Sequence, residues 1–498
     1  MGGRVGEWAG AAEMRLQRIS KRTVSRGSSM LRFDPGCETG YPASQMSKVA
    51  SMIRPFLQAT AIAGALALVP VTTGAMAQVD SGTYRELDLF MDVFNTVRAD
   101  YVDQVDDKTL VEGAVQGMLA ALDPHSGYVS AKDFENLRIA TEGNYGGLGL
   151  TVSMEDRTVK VIAPTADTPA DRAGIKAGDY ITHINGKLIF GGTLDEAVAE
   201  MRGPPGSNIT ITIVRPGRDR PIEVALKREI IVQKPVKWEV RDGIGYIAIN
   251  TFSQATGADT RAAIAAIDKS LGRKPAGYVI DLRNNGGGLL TQAIEVTDVF
   301  LDQGEIVSQR GRDKRDIERF YAKKGDATGG LPLVVLIDAG SASASEIVAG
   351  ALQDHHRALV MGERSFGKGS VQTLLPLSSN TALRLTTARY YTPSGKSVQE
   401  GGIEPDLMVP QLSDPDYKSR PVFREADLRR HLINEAAADD RTLEEDVKAD
   451  PRFDMTAEQV KAKGIEDFQL HYALQTIGRV KPGQALAARP TTAAAPAR

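Results

Sequence analysis

Three short apolar runs, at residues 245–250, 278–282 and 333–337, alternate with stretches of helical period at 260–270 and 290–300. A strand without polar alternation has to be covered on both faces, so this pattern predicts a mixed α/β core around a largely buried sheet. A further strand is expected at 383–391. Upstream, 146–217 reads as a compact segment of short strands and turns. Its strands are expected at 150–152, 159–162 and 209–214, with a short helix at 170–173, a turn at Asn185-Gly186 and an amphipathic helix at 194–201. Apolar residues at helical spacing between Tyr84 and Leu122 predict two amphipathic helices, read as a packing or dimerisation cap. Asp123-Pro124-His125-Ser126 ends the second, because proline cannot continue a helix.

A chain of 498 residues with 42% hydrophobic and 25% charged content can build about three domains. The net charge of −3 and the lack of a long basic run with interleaved aromatics exclude nucleic acid as a default partner. From Met46 the chain reads as a secretory signal. Lys48 and Arg54 are followed by an apolar stretch over 56–71 and by Ala75-Met76-Ala77, a small-x-small cleavage site before Gln78. The apolar stretch is short for a membrane span, which needs about 20 residues. Residues 1–45 carry no helical or strand period and read as an upstream extension, with Met46 as the true start. The only cysteine, Cys37, lies in that extension. The exported chain therefore has neither disulfides nor a thiol nucleophile.

The chemistry has to come from another nucleophile, and Gly340-Ser341-Ala342-Ser343-Ala344-Ser345-Glu346-Ile347 offers one. It follows a buried strand and opens a helix, so Ser343 would sit on a tight turn with helix N-terminal N–H groups nearby, a setting suited to an oxyanion. Ser343-x-x-Glu346 also fits an ordinary capping box. Lys368, in Gly362-Glu363-Arg364-Ser365-Phe366-Gly367-Lys368-Gly369, favours catalysis. A lysine can deprotonate serine once burial has made it neutral, and the amide of Gln372, four residues on, can orient the amine without holding a proton on it. The stretch from Gly362 to Lys368 also matches most of a phosphate-binding loop. Gly369 stands where magnesium needs Ser or Thr, and residues 371–376 read as a strand rather than a helix. His355 and His356 would lie about three helical turns from Ser343, out of reach of it. His125 is read as structural. Asp and Glu show no metal-ligand spacing, so no metal or other cofactor is expected.

These motifs, with Asp281-Leu282-Arg283 and Gly402-Ile403-Glu404-Pro405-Asp406, resemble the C-terminal processing peptidases of family S41. The resemblance covers most of the exported chain. It implies an α+β multidomain protein: a mixed α/β protease core with an inserted PDZ domain and helical regions at both ends. On it the chain divides into the extension at 1–45, the signal at 46–77 and an N-terminal helical region with the start of the core at 78–140. The PDZ domain follows at 141–220, the protease core at 221–410, a C-terminal helical region at 411–488 and a disordered tail at 489–498. The resemblance places the nucleophile at Ser343, the base at Lys368, the orienting amide at Gln372 and the oxyanion hole at Gly287 and Ala344. Gly147-Leu148-Gly149-Leu150 resembles a PDZ carboxylate-binding loop, and Arg202 is a candidate contact to a substrate carboxylate. The implied function is a serine endopeptidase, exported to the periplasm or held at the inner membrane if the signal stays uncleaved, that cuts protein substrates near their C-termini. A lipoprotein or repeat-protein adaptor and a homo-oligomer are implied as partners.

Overall fold

The computed structural model describes residues 81–313, 315–417, 419–434 and 451–480. The extension with Cys37, the signal and the C-terminal tail lie outside the described residues. The described residues fall into two compact units, residues 81–113 and those from 114 onward. In the first, the helix Ser81–Asp100 is followed by a turn and by the start of the helix Asp107–Ala120, with Arg98 Nε 2.9 Å from the Asp107 carboxylate. Tyr84, Leu87, Phe90 and Val93 of the first helix are exposed.

The second unit is built on a six-stranded sheet in the order Val236–Arg241, Ile244–Ile249, Tyr278–Asp281, Leu333–Ile337, Leu359–Gly362 and Leu407–Met408. The first pair is antiparallel and every later pair parallel. Both faces are covered, which is why the strands read as continuous apolar runs. Ile247, Ile280, Val335 and Ile337 pack on one side under the helices Thr256–Leu271, Leu290–Asp298 and Ala344–Asp354. Val279, Val334 and Leu336 pack on the other against Phe468, Ala473 and Ile477 of the helix Phe468–Gly478. A second, antiparallel sheet sets Gly127–Val129, Ala382–Tyr391, Glu305–Gly311 and Ile317–Tyr321 side by side, with Ser370–Pro376 also paired to Ala382–Tyr391.

Residues 150–227 form a separate sheet, in the order Leu150–Glu155, Thr158–Pro164, Tyr180–Ile184, Asn208–Val214 and Ile222–Lys227. Val159, Val161, Ile181, Ile184, Ile211 and Ala197 of the helix Leu194–Met201 fill its core. An antiparallel ribbon of Asn144–Gly147 with Glu229–Val232 carries the chain into this module and out again. The module is thus an insertion in the core built on the six-stranded sheet.

Gly362 ends its strand at φ +118°, where a side chain is strained, and a methyl group there would overlap the carbonyl oxygen of Ile337 on the neighbouring strand. Gly362→Ala is expected to lower stability by about 3 kcal/mol or more. Gly174→Ala, at φ +73° with open space around it, should cost about 1 kcal/mol. Urea unfolding of the two variants checks the ranking, and equal losses would contradict it.

Candidate active site

Adjacent parallel strands of the main sheet, Leu333–Ile337 and Leu359–Gly362, each release a loop at their C-terminal ends. The first loop leads to Ser343 and the helix Ala344–Asp354, and the second leads to Lys368. Ser343 is buried, with φ 54° and ψ −110°, a conformation that a non-glycine residue adopts only when its surroundings enforce it. The enforcing contacts come from the residues around it. Ser341 Oγ donates to the Leu282 carbonyl at 2.8 Å, Ser345 Oγ to the Asn285 carbonyl at 2.8 Å, and Ala342 N to the same carbonyl at 3.0 Å. The serines on either side of Ser343 therefore tie its turn to the loop that follows Tyr278–Asp281.

Half of the capping box exists. The Ser343 N–H donates to Glu346 Oε2 at 2.6 Å, while the Ser343 hydroxyl caps nothing. Glu346 does more than cap. The same Oε2 accepts the Lys368 N–H at 3.0 Å, and Oε1 accepts the Gly367 N–H at 2.7 Å and the Ser365 hydroxyl at 2.6 Å. Its carboxyl is wholly buried, and burial raises it to about 7 against the pull of these donors. One carboxylate thus holds the Ser343 turn and the lysine loop together.

The Lys368 side chain is also buried. Burial, and then the positive charge of Arg384, lower its amine to about 8. Gln372 is buried on the strand Ser370–Pro376, and its amide nitrogen donates to Ser370 Oγ at 2.8 Å. Beside Ser343 lies Gly287, at φ +103°. A methyl group on it would come within 2.9 Å of Ser343 Cβ and 3.0 Å of the Ala344 nitrogen. Ala344 is the first residue of its helix, so its N–H has no intrahelical acceptor. The Gly287 N–H donates to Asn285 Oδ1 at 2.9 Å, and Asn285 Nδ2 is fixed on the Ile249 carbonyl at 2.6 Å.

The helix Ala344–Asp354 separates His355 from Ser343, and the His355 ring bonds the Glu305 carbonyl at 2.7 Å. After Lys368 the chain enters a strand rather than a helix, so the phosphate-loop spacing has no helix N-terminus to offer. Among the described residues no group of three or more His, Cys, Asp or Glu could hold a metal ion. In the inserted module, Leu148 is buried with its carbonyl taking the Ala170 N–H at 3.0 Å, and Gly147 ends the ribbon strand. Gly149 gives its carbonyl to the Thr165 N–H at 2.8 Å, and Leu150 starts a strand paired on one side only. Arg202 is held nearby. It donates to Asn136 Oδ1 at 3.1 Å and lies 5.0 Å over the Tyr145 ring.

The pattern of peptidase family S41 matches residues 243–409, a PDZ domain matches 160–215, and the N-terminal domain of the activating protease CtpB matches 67–133. A carboxy-terminal-processing protease of Bartonella bacilliformis is 52% identical over 362 residues, covering 72% of this chain and 83% of that one. The chain belongs to peptidase family S41. The carboxy-terminal processing protease CtpB of Bacillus subtilis is 34% identical over 423 residues, covering 83% of this chain and 85% of its own length. The solved photosystem II D1 C-terminal processing protease is 30% identical, with a TM-score of 0.39 over 65% of this chain and 93% of that one. This is therefore a serine-type peptidase of the carboxy-terminal processing family, with a PDZ domain beside a mixed α/β protease core.

Within this S41 site several residues escaped the sequence reading. Asn285, Ser365, Gln399 and Glu425 carry no motif spacing. Glu346 was visible, but as a helix cap. Glu346→Gln replaces one carboxylate oxygen by a donor that faces two of the four donors. It should cost about 1–3 kcal/mol of stability and lower kcat/KM on a cleavable peptide by about tenfold or more. Unchanged turnover and thermal midpoint would contradict the linking role of this carboxylate.

Proposed function

We propose that the chain is a secreted serine endopeptidase that cleaves protein substrates near their C-termini, with Ser343 as nucleophile, Lys368 as general base and an acyl-enzyme intermediate. The observation that carries this reading is the shared acceptor, Glu346 Oε2, which takes the main-chain N–H of Ser343 at 2.6 Å and of Lys368 at 3.0 Å. A neutral Lys368 amine takes the proton of Ser343 Oγ as the oxygen attacks the scissile carbonyl. The Ala344 N–H and the helix N-terminus meet the oxyanion. Gly287 serves as second donor once its N–H exchanges Asn285 for the oxyanion. The Lys368 ammonium then protonates the leaving amine, and the neutral amine later activates the water that hydrolyses the ester. Gln372 orients the amine between these transfers.

Capture of the substrate falls to the PDZ module. The strand Leu150–Glu155 pairs on one side with Thr158–Pro164, which leaves its other edge open to an added strand, with the helix Leu194–Met201 as the other wall. A free C-terminal carboxylate would meet the N–H groups of residues 147–150, with Arg202 close by. The exposed apolar residues of Ser81–Asp100 support assembly into a homo-oligomer. The signal pattern at 46–77 supports export to the periplasm, with a mature chain starting near Gln78.

Lys368→Ala and Lys368→Arg should both abolish peptide cleavage, because a guanidinium does not accept the serine proton. His355→Ala with His356→Ala should leave turnover largely intact. Since the amine is held near 8, its neutral fraction grows as pH rises. Below that point kcat/KM should fall about tenfold per pH unit. An active Lys368→Arg enzyme would overturn the assignment of the base. Amidating the C-terminus of a cleaved peptide should raise KM, and equal cleavage of amidated and free peptides would count against the PDZ role.

A further inference from the structure

The segment around Glu425 meets the lysine loop, the turn at 123–126 meets Glu425 through His125, and neither takes part in the steps above. Asp123 accepts the His125 and Ser126 N–H groups at 2.8 Å each and the Ser126 hydroxyl at 2.7 Å, which closes the turn. The His125 carbonyl then takes Nε–H of Arg384 at 2.9 Å. Arg384 lies on Ala382–Tyr391, opposite Gly127 on one neighbouring strand and Leu374 on the other, and is partly buried. Glu425 is fully buried. Its two oxygens sit 2.9 and 2.8 Å from His125 Nε2, and Oε1 also accepts Gln399 Nε2 at 3.0 Å. Gln399 Oε1 takes the Gly369 N–H at 3.0 Å, and the Glu425 N–H donates to the Phe366 carbonyl at 3.1 Å. Glu425 therefore reaches the chain on both sides of Lys368.

We propose that Arg384, partly buried, and Glu425, fully buried, are an opposed pair of charges that positions the proton on Lys368, with Arg384 repelling it, Glu425 attracting it and the turn at 123–126 holding the guanidinium in place. Both are positioning residues, acting through the amine. Among the described residues, the charge of Arg384 disfavours protonation of Lys368, and those of Glu425, Glu346 and Asp123 favour it. Arg384 in turn faces Asp123 and Asp133, while Glu425 faces His125 and, beyond the ring contact of His431 with Glu400 at 2.7 Å, His431 itself. Lys368 and Glu425 are buried, so charges beside them are less screened than at the surface, and one charge on each side sets how much free amine is present at neutral pH.

The inference rests on Lys368 as the base, and the test separates the two claims. The pH dependence of kcat/KM is measured for the full-length protein and its variants on a peptide substrate. Arg384→Gln should move the acid limb to higher pH by about half a unit or more, and Glu425→Gln should move it down by a similar step. Arg384→Lys, which keeps the charge, should return the limb to the wild-type position. A merely structural role would lower kcat without moving the limb. Unmoved limbs, or shifts of one sign in both neutral variants, overturn the proposal. If Arg384→Gln does not fold, Glu425→Gln decides alone: a lowered limb supports the pair, and an unmoved or raised one overturns it. A wild-type enzyme with no acid limb, or an active Lys368→Arg variant, removes the base assignment itself and the role of the pair with it.

Discussion

Ser343 and Lys368 leave the main sheet on separate loops, and the buried carboxylate of Glu346 is what joins them. Taking an ionised carboxylate out of water is costly unless donors replace the lost solvation. Here Ser343, Gly367 and Lys368 give main-chain N–H groups and Ser365 a hydroxyl. Those four residues cannot shift separately without leaving the charge unsatisfied. The strained backbone of Ser343 survives because this contact and the hydroxyls of Ser341 and Ser345 over-determine its turn.

Strand order does the coarse placement. Leu333–Ile337 and Leu359–Gly362 are parallel neighbours, so the loops at their C-terminal ends open side by side. The second sheet supplies the floor under the lysine loop, through Ser370–Pro376 paired with Ala382–Tyr391. Because the PDZ module is inserted through the ribbon at 144–147 and 229–232, the short strand Gly127–Val129 before it stays on the protease sheet. The PDZ module and the protease core are thus joined by one antiparallel ribbon, while the turn at 123–126 stays with the protease sheet through Gly127–Val129.

Much of this was legible in the sequence where local pattern and tertiary environment agree. The apolar runs became the central strands because both faces of the sheet are buried, and the short strands and helices of 150–214 fell where turn chemistry put them. Ser343 and Lys368 stood out because a tight strand-to-helix turn and a glycine-flanked lysine are unusual in themselves. The second sheet was read only in part. Glu305–Gly311 and Ile317–Tyr321 mix polar and apolar residues without clean alternation, and a bulge breaks their register between Glu305 and Val307. Glu425 and Gln399 carried no signal, since their role comes from contacts with residues as distant as His125. Gly287 lies beside Ser343, but its N–H is turned to Asn285, which side-chain spacing could not foretell.

The linking role of Glu346 can be tested directly by hydrogen–deuterium exchange in the wild-type protein and in Glu346→Gln, following peptides that cover 340–347 and 362–370. If one carboxylate holds both loops, both peptides should lose protection together in the variant, while the strands Tyr278–Asp281 and Leu333–Ile337 keep theirs. Loss of protection in one loop alone would show that the nucleophile turn and the lysine loop are held independently.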